Sequence, residues 1–383
     1  MANTLTNLIP DLYASLDVVS RELVGIIPAV QRDSTTDRAA KDQVVRSFVA
    51  PASTAADITP ATNAPDTGDQ TIGNVEISIT KARAVPMRMT GEEELGLNSG
   101  AGARAIRLNQ IQQAMRTLTN EVESDLAGQH IYASRAYGTA ATTPFGTAGD
   151  YTDASLTNAI LDDNGAPLSD RHLVLNTAAA ANLTGKQSRV DFQGDVSMLR
   201  QGVLLDHMGM EIRKSGQIKT STAGTGASAT TDNAGYSVGD TVITLASAGT
   251  GTIIAGDVIT FAGDTNKYVV ASGDADVSNG GTITLAANGL RQAIAASATA
   301  ITVVAAAARN LAFSRNAIVL ATRLPALPSE GDAADDRVTI TDPRSGLAFE
   351  VAMYKEYRRV HYELSLAWGV KTVKPEHLAV LLG

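Results

Sequence analysis

One long amphipathic stretch, residues 103–137, constrains the fold of this chain more than any other part of the sequence. Its apolar side chains recur at steps of three and four residues, which places them on one face of an α-helix. They are Leu108, Ile111, Met115, Leu118, Val122, Leu126, Ala133 and Tyr137. Gly138 follows the last of them, where a left-handed residue commonly ends a helix. At about 1.5 Å per residue the helix would be roughly 50 Å long, so we expect a sheet to cover its apolar face.

The charges on this helix oppose its dipole. Arg104 and Arg107 lie near its start, whereas Glu121, Glu123 and Asp125 lie in its second half. Two interpretations stay open. The charged residues form a solvated face, or the arginines meet acidic groups on a neighbouring element or subunit.

Composition excludes several classes of protein. The 383 residues are 44% hydrophobic and include no cysteine, which excludes disulfides and thiolate metal sites. No apolar run approaches about 18 residues, so we expect no membrane span. The first residues lack the basic segment and apolar run of a secretory signal. A formal net charge of −9 argues against a nucleic-acid-binding surface, because phosphate binding needs clustered Lys and Arg.

The order of the patterns predicts an α+β chain in six parts. These parts are an amphipathic N-terminal arm (1–42), an extended loop (43–90), a part with the long helix (91–150), an α/β part (151–216), an inserted β-domain (217–308) and closing strands (309–383). The extended loop has one outgoing strand and alternating return strands around a Pro-rich stretch. Its apolar content is too low for a core of its own, so we expect it to lie on another subunit. Thr90 and Glu93 have the spacing of a capping box that starts a short helix.

The inserted β-domain differs in composition from its flanks. Between residues 220 and 308 there is no Glu or Met, and Lys267 and Arg291 are the only basic residues. Short alternating segments separated by Gly-Asp turns predict a small β-barrel or sandwich. Its predicted core is Val242, Ile243, Leu245, Ile259, Phe261, Val269, Ile283 and Val303. We expect the strands that flank the insert, within 208–214 and 310–320, to be neighbours in one sheet.

The closing part predicts a meander of three strands. Val338 and Ile340 lead into a turn, residues 347–353 alternate on the return, and residues 360–368 alternate again. This meander is the best candidate to cover the long helix. The last residues form a short apolar tail that we expect to lie in a sheet.

No arrangement of residues in the sequence points to catalysis or to a cofactor. The five histidines are dispersed, and His361 lies in a strand pattern that favours a structural role. Residues 184–187, TGKQ, lack the first glycine and the final Ser or Thr of a phosphate loop. Asp274, Asp276 and Asn279 do not match the spacing of a calcium loop. We therefore expect neither an enzyme nor a cofactor-binding protein.

The order of parts resembles the major capsid proteins of tailed bacteriophages. Three stretches carry the resemblance: LIPDLYASLDVVSRELVGIIPAV near the start, NLAFSRNAIVLATR after the insert, and WGVKTVKPEHLAVLLG at the end. The insert with GDVITFAG looks like the extra domain of podovirus-type coat proteins. The resemblance implies the tailed-phage capsid fold, with peripheral and axial domains. It also implies assembly into the hexamers and pentamers of an icosahedral shell in the host bacterial cytoplasm, with scaffolding and portal proteins as partners.

The residues themselves agree with this interpretation. An extended arm and a one-sided long helix are costly in conformational entropy unless neighbouring subunits order them. Basic residues around these elements are the candidate inter-subunit contacts: Lys81, Arg83, Arg88, Arg104 and Arg107. The net negative charge implies only weak, non-specific contact with packaged DNA. The alternative is a bacterial surface or fibre module, suggested by the Thr/Gly/Ala-rich β region.

Some capsid proteins of this family are joined by a lysine–asparagine isopeptide bond between subunits. Lys81 is the only lysine between Lys41 and Lys186, so it is the only candidate in the extended loop. The sequence places no acidic residue beside it that could act as a base. We therefore predict no crosslink.

Overall fold

The computed structural model describes residues 24–49, 57, 58, 60, 73–93, 102–147, 150–187, 206, 208–341 and 346–383. Residues 1–23 of the predicted N-terminal arm and most of the Pro-rich stretch lie outside these residues. The described helices are α1 (Gly102–Ala127), α2 (Thr152–Asp163) and α3 (Thr177–Gln187). The described strands are β1 (Gln31–Ala39), β2 (Val44–Val49), β3 (Gly73–Ser78), β4 (Lys81–Thr90), β5 (Arg135–Tyr137), β6 (Arg171–Leu175), β7 (Glu211–Lys214), β8 (Ala229–Thr230), β9 (Val242–Leu245), β10 (Val258–Phe261), β11 (Lys267–Ser272), β12 (Gly281–Leu285), β13 (Ala300–Val303), β14 (Arg309–Ser314), β15 (Ile318–Pro325), β16 (Asp336–Thr341), β17 (Ala348–Glu356), β18 (Arg359–Thr372) and β19 (Leu378–Leu382).

Helix α1 is the predicted long helix, but it is shorter than expected. It ends at Ala127 and continues as one 3-10 turn, Gly128–Tyr132, before the chain extends into β5. Its 26 residues span about 39 Å at 1.5 Å per residue. The prediction of helix up to Tyr137 is wrong because Ala136 and its neighbours in β5 pair with β19 and β11. Gly138 has a positive φ of 97°, but it follows a strand instead of ending a helix.

The apolar face of α1 lies in one core with residues from two sheets. Ile111, Met115, Leu118, Val122 and Leu126 are at most 1% exposed. Their cluster includes side chains of β17 and β18 from one sheet and of β14 and β19 from the other. The predicted covering of the helix by the closing meander is therefore confirmed.

The first sheet has six strands in the order β1-β15-β18-β17-β16, with β4 paired along β18. Ten residues of β4 pair in antiparallel register with β18, from Lys81 opposite Trp368 to Thr90 opposite Arg359. The returning leg of the predicted extended loop is thus part of this chain's own sheet. Strands β2 and β3 form a separate two-stranded ribbon, and Ile77 and Ile79 at its base are buried against Ala39, Ala321 and Ala367.

The second sheet contains the α/β part, the tail and the insert. Its order begins β7-β6-β14-β19-β5, and helices α2 and α3 pack against it in a second core. Strand β19 is fully buried, which confirms the prediction for the apolar tail. Strands β7 and β14, which flank the insert, lie in the same sheet, but β6 lies between them. The prediction that they are direct neighbours is therefore wrong, because β7 pairs in parallel with β6.

The insert is a closed β-barrel. Its strands pair in the order β8-β13-β10-β11-β12-β9, and Thr231 bridges to Leu245 to return from β8 to β9. Ile243, Leu245, Ile259, Phe261 and Ile283 lie in its core as predicted. Val303 is partly buried against this core, Val242 is 52% exposed, and Val269 belongs to the main core with α1. Val242 and Val269 were therefore assigned wrongly, because β9 turns Val242 outward and β11 lies between the barrel and the main body.

Strand β11 joins the barrel to the rest of the molecule. Its residues Lys267 and Tyr268 pair with Ala136 and Arg135 of β5. Entry and exit of the insert also meet, since Thr220 bridges to Ala308. The six-part division of the chain remains a prediction, but the barrel shares both hydrogen bonds and core with the main body.

Candidate assembly surface

Lys81, at the start of β4, lies in an ionic cluster with α1. Its Nζ is 2.8 Å from Asp125 Oδ1 and 3.1 Å from Glu121 Oε1. Arg83 Nε is 3.3 Å from the same Glu121 oxygen, and the Trp368 indole N–H donates to Asp125 Oδ2 at 2.9 Å. The statement that no acidic residue lies beside Lys81 is therefore wrong. Helix α1 places Glu121 and Asp125 one turn apart, on the side that faces the start of β4.

This cluster determines the chemistry of Lys81. Burial lowers the pKa of Lys81, but the hydrogen bonds and charges of Asp125 and Glu121 outweigh it and raise the pKa above its ordinary value. The amine thus stays protonated, and a protonated amine is not a nucleophile. The reason that the sequence offers for expecting no isopeptide bond, the lack of an acidic residue beside Lys81, is therefore wrong, and the absence of a crosslink at Lys81 stays a prediction.

The other predicted contact residues are in three environments. Arg107 lies over the Tyr362 ring, with its guanidinium carbon 5.5 Å from the ring centroid. Arg88 is exposed and lies opposite His361 in the β4–β18 register. Arg104 is in the first turn of α1, and its side chain lies outside the described residues. Of the five predicted contacts, Lys81 and Arg83 meet acidic groups of this chain, namely Glu121 and Asp125 of α1. The interpretation that Arg104 and Arg107 themselves meet acidic groups stays a prediction.

Three large apolar side chains are conspicuous on the surface. Ile58, in the extended loop, is 97% exposed, Tyr357 is 87% exposed, and Leu168 is 78% exposed. Tyr357 is at the turn between β17 and β18, and the guanidinium of Arg358 lies 5.8 Å from its ring centroid. Exposed Tyr and Arg side chains are enriched where protein interfaces obtain their binding energy. This turn is not among the contacts predicted from the sequence, although an aromatic residue in the polar run KEYRR between two alternating strands is a usable signal.

A cleft adjoins this turn. It has a volume of about 670 Å³ and is lined by two segments, residues 89–92 and 355–360. The Gly91 N–H donates to the carbonyl of Arg358 at 3.1 Å, so the end of β4 is fixed to the turn. Thr90 and Glu93 exchange the two hydrogen bonds of a capping box, as predicted. The β17–β18 turn and the end of β4 are therefore joined at one edge of the sheet.

The residues considered for chemistry have structural roles. Thr184–Gln187 lie in α3, where the Thr184 hydroxyl donates to the Ala180 carbonyl at 2.9 Å. Asp276 accepts hydrogen bonds from the backbone and hydroxyl of Ser278 at 3.1 and 2.7 Å, so it caps its own turn. Within the described residues, no group of three or more His, Asp or Glu side chains is arranged to hold a metal ion. Among these same residues, no helix has the length and apolar content needed to cross a membrane.

Comparison with solved structures gives a fold. The capsid structure of the cyanophage P-SCSP1u aligns with a TM-score of 0.50 and 11% identity over 94% of this chain and 88% of that chain. A Mycobacterium phage Che8 structure aligns with a TM-score of 0.46 and 12% identity over 96% and 90% of the two chains. A virus-like particle from Pyrococcus furiosus aligns with a TM-score of 0.40 and 10% identity over 97% and 96%. No protein-family model and no curated protein sequence matches the chain.

The likeness to the cyanophage capsid structure extends over nearly the whole length of both chains. In this chain the long helix, the α/β part and the closing strands follow one another in the order that the sequence predicts. The predicted α+β fold of tailed-phage capsid proteins is thus confirmed as the fold of this chain.

Proposed function

We propose that the chain is a major capsid protein, the structural subunit that self-assembles into the icosahedral head of a tailed bacteriophage around its DNA genome. One observation carries this proposal: the fold agrees with that of a phage capsid structure over 94% of the chain. The exposed Tyr357 at the β17–β18 turn supports it, because a large aromatic side chain without a cover in this chain is typical of a contact between subunits. The role is structural and not enzymatic.

The partners follow from this role. Copies of the same chain form hexamers and pentamers, and scaffolding and portal proteins take part in building the head. Contact with packaged DNA is weak and non-specific, since the chain carries a net charge of −9. The protein resides in the virion after assembly in the host bacterial cytoplasm, without a membrane partner.

Contacts between copies involve two kinds of residue. Tyr357 and Ile58 supply exposed apolar surface. Arg88, Arg104 and Arg107 supply positive charge, and Lys81 and Arg83 hold the start of β4, which follows the loop that carries Ile58. The division into peripheral and axial parts follows the two sheets on either side of α1.

Electron microscopy of the purified protein, expressed with and without the scaffolding protein of its phage, tests this function. We expect closed shells or capsomers. Fibres would favour the alternative of a bacterial surface or fibre module. Discrete monomers under every condition, confirmed by sedimentation, would contradict the capsid assignment.

Charge reversal tests the contact surface separately. Arg88→Glu should reduce the yield of assembled particles while leaving the circular dichroism spectrum of the subunit unchanged. Lys219→Glu makes the same charge change at an exposed residue next to the insert and is the matched control. Equal particle yields from the two variants would show that Arg88 is not part of the contact surface.

A further inference from the structure

Glu123, in the middle of α1, is completely buried although it is a carboxylic acid. Sequence analysis grouped it with Glu121 and Asp125, which remain partly exposed and pair with Lys81. Glu123 points to another side of the helix. There it meets residues 25–30, the segment through which the N-terminal part of the chain enters the core.

Residues 25–30, called the strap here, are held by this one side chain. Glu123 Oε1 accepts the backbone N–H groups of Gly25 at 2.8 Å and Ile26 at 2.7 Å, and Oε2 accepts that of Ile27 at 3.0 Å. Ser215, directly after β7, adds a side-chain hydrogen bond to the carboxyl group. The strap therefore runs between α1 and the end of β7, and its next residues form β1 of the other sheet.

The strap has little freedom to move sideways. Ile26, Ile27, Ala29 and Val30 are at most 1% exposed. A Cβ atom added to Gly25 would lie 2.4 Å from the Lys214 carbonyl oxygen, so the backbone of the strap touches the backbone of β7. We therefore expect the strap to have two states: a seated state, packed between α1 and β7, and a displaced state in which these contacts are lost.

Among the residues that the structure describes, the Glu123 carboxyl group has no cation that compensates its charge. No Lys, Arg or His of this described part forms an ion pair with Glu123, and the largest influences on its pKa are burial and hydrogen bonds from uncharged groups. The strap offers only backbone groups, the Ser215 hydroxyl is neutral, and the nearby Lys214 side chain is exposed. On α1 itself, the flanking Glu121 and Asp125 are engaged with Lys81. A buried charge without a counter-charge is unfavourable, and a neutral carboxyl group is much less so.

Both protonation states satisfy the hydrogen bonds of this site. A neutral carboxyl group keeps Oε1 as the acceptor for Gly25 and Ile26, and its O–H can donate to the Ser215 oxygen. An ionised group accepts the Ser215 hydroxyl instead, at the cost of placing a negative charge in the core. Burial is the largest influence and raises the pKa of Glu123 above 4.5, although the hydrogen bonds from Ile26, Ser215, Ile27 and Gly25 lower it.

We propose that Glu123 is a proton-operated latch on the strap, which holds residues 25–30 in place when it is protonated and loosens them when it ionises. The sign follows from linkage. The seated state binds the proton more tightly than the displaced state, in which the exposed carboxyl group has an ordinary pKa near 4.5. Protonation therefore favours the seated strap, and a rise of pH through the raised pKa favours its release. The inference does not depend on the proposed capsid function.

Hydrogen exchange of the full chain, followed by mass spectrometry on the peptide that covers the strap, tests this proposal. We expect the opening equilibrium, corrected for the intrinsic exchange rate, to increase about tenfold per pH unit from pH 4.5 up to the raised pKa and then to level off. In Glu123→Gln, a neutral side chain of the same shape, the opening should not change with pH. Glu121→Gln alters a partly exposed carboxylate two residues away and should retain the dependence of the wild type.

Three outcomes would overturn the latch. The first is an opening of the strap in the wild type that does not vary between pH 4.5 and about 9. The second is protection lost as the pH falls, which would show that the ionised carboxylate holds the strap. The third is a pH dependence that persists in Glu123→Gln. The first two need only the wild-type chain, so the proposal stays testable if Glu123→Gln does not fold.

Discussion

Gly25 illustrates how a single position determines whether the strap can be seated. A Cβ atom there would lie 2.4 Å from the Lys214 oxygen, 2.7 Å from the Lys214 carbonyl carbon and 3.0 Å from a methyl group of Val174. The first two are backbone atoms of a paired strand, which cannot move away as a flexible side chain can. A residue with any side chain therefore forces the strap and β7 apart.

Gly25→Ala should lower the free energy of unfolding by about 1–3 kcal/mol, the range for overpacking a tight site. Gly128→Ala is the matched control, because a Cβ atom at Gly128 meets no atom within 4 Å. Denaturant unfolding of both variants gives the comparison. A loss for Gly128→Ala as large as that for Gly25→Ala would contradict the argument from close contact.

We expect the hydroxyl group of Tyr268, in the barrel, to ionise at a higher pH than that of an ordinary tyrosine. Burial and the hydrogen bond to Asp264 raise the pKa of Tyr268 to about 12. Because this pKa is raised above the value of 10.0 for a free tyrosine, the associated stability is fully present below pH 10 and is lost as the pH rises through 12. Ultraviolet titration of the phenolate should show a late-ionising component that decreases in Tyr268→Phe. An identical titration curve for the variant and the wild type would contradict this assignment.

At the scale of elements, β11 unites the barrel with the main body. Its side chains serve two cores, since Val270 lies in the barrel and Val269 packs with α1. Alternation along a strand predicts opposite faces, but it does not reveal what covers each face. The sequence pattern therefore predicted the strand correctly and assigned Val269 to the wrong core.

Val269→Ala should reduce stability by about 1–3 kcal/mol, because it removes two buried methyl groups from the junction between barrel and body. The same substitution at Val242, which is 52% exposed in the same barrel, should change stability by less than about 0.5 kcal/mol. Thermal unfolding of the two variants measures the difference. Equal effects would mean that β11 does not connect the two cores.

Removal of the whole insert tests the same junction between the barrel and the main body. The isolated segment 217–308 should fold, since its barrel is closed and has its own core. Replacing it by a Gly/Ser linker should destabilise the main body, because β5 loses its partner β11. Circular dichroism of the fragment and unfolding of the deletion variant provide the measurement. A disordered fragment together with a deletion variant of unchanged stability would show that the segment contributes nothing to either core.

At the scale of the whole molecule, the order of elements was predictable from the sequence and the pairing between them was not. Periodicity located α1, the meander and the tail, because burial of one face imposes a regular spacing on the sequence. It did not reveal that α1 ends at Ala127, since the apolar Ala133, just after the 3-10 turn, and Tyr137, in a strand, continue the helical spacing by chance. The pairing of β7 with β6 depends on contacts between residues far apart in the chain, and the spacing of apolar residues does not predict such contacts.

The candidate site was predicted only in part. The sequence predicts Lys81 and Arg83 as charged contact residues. It does not predict their partners Glu121 and Asp125, which lie on a helix about 40 residues further along the chain. Glu123 was the least predictable, because its sequence neighbourhood of alternating acidic residues is typical of a solvated helix face. Only the structure shows that one of the three carboxyl groups points inward.

Mature particles, if the capsid proposal is correct, should give a single band at monomer mass on a denaturing gel. Lys81 is kept protonated by two carboxylates of its own chain, which disfavours attack on an asparagine of a neighbour. Lys81→Arg particles should be indistinguishable from the wild type in this assay. A ladder of higher bands in the wild type that disappears in Lys81→Arg would contradict the prediction.

The ring of strands in the insert limits how other molecules can recognise it. A sheet with a free border offers unpaired backbone groups to any extended peptide, whereas a ring offers none along its circumference. Here the bridge between Thr231 and Leu245 completes the ring. The first residues of β11, Lys267 and Tyr268, pair with β5, and its later residues pair with β12. A molecule that binds the insert must therefore recognise its turns and outward side chains, such as Val238 and Val242, and substitutions at these positions leave the ring of backbone hydrogen bonds intact.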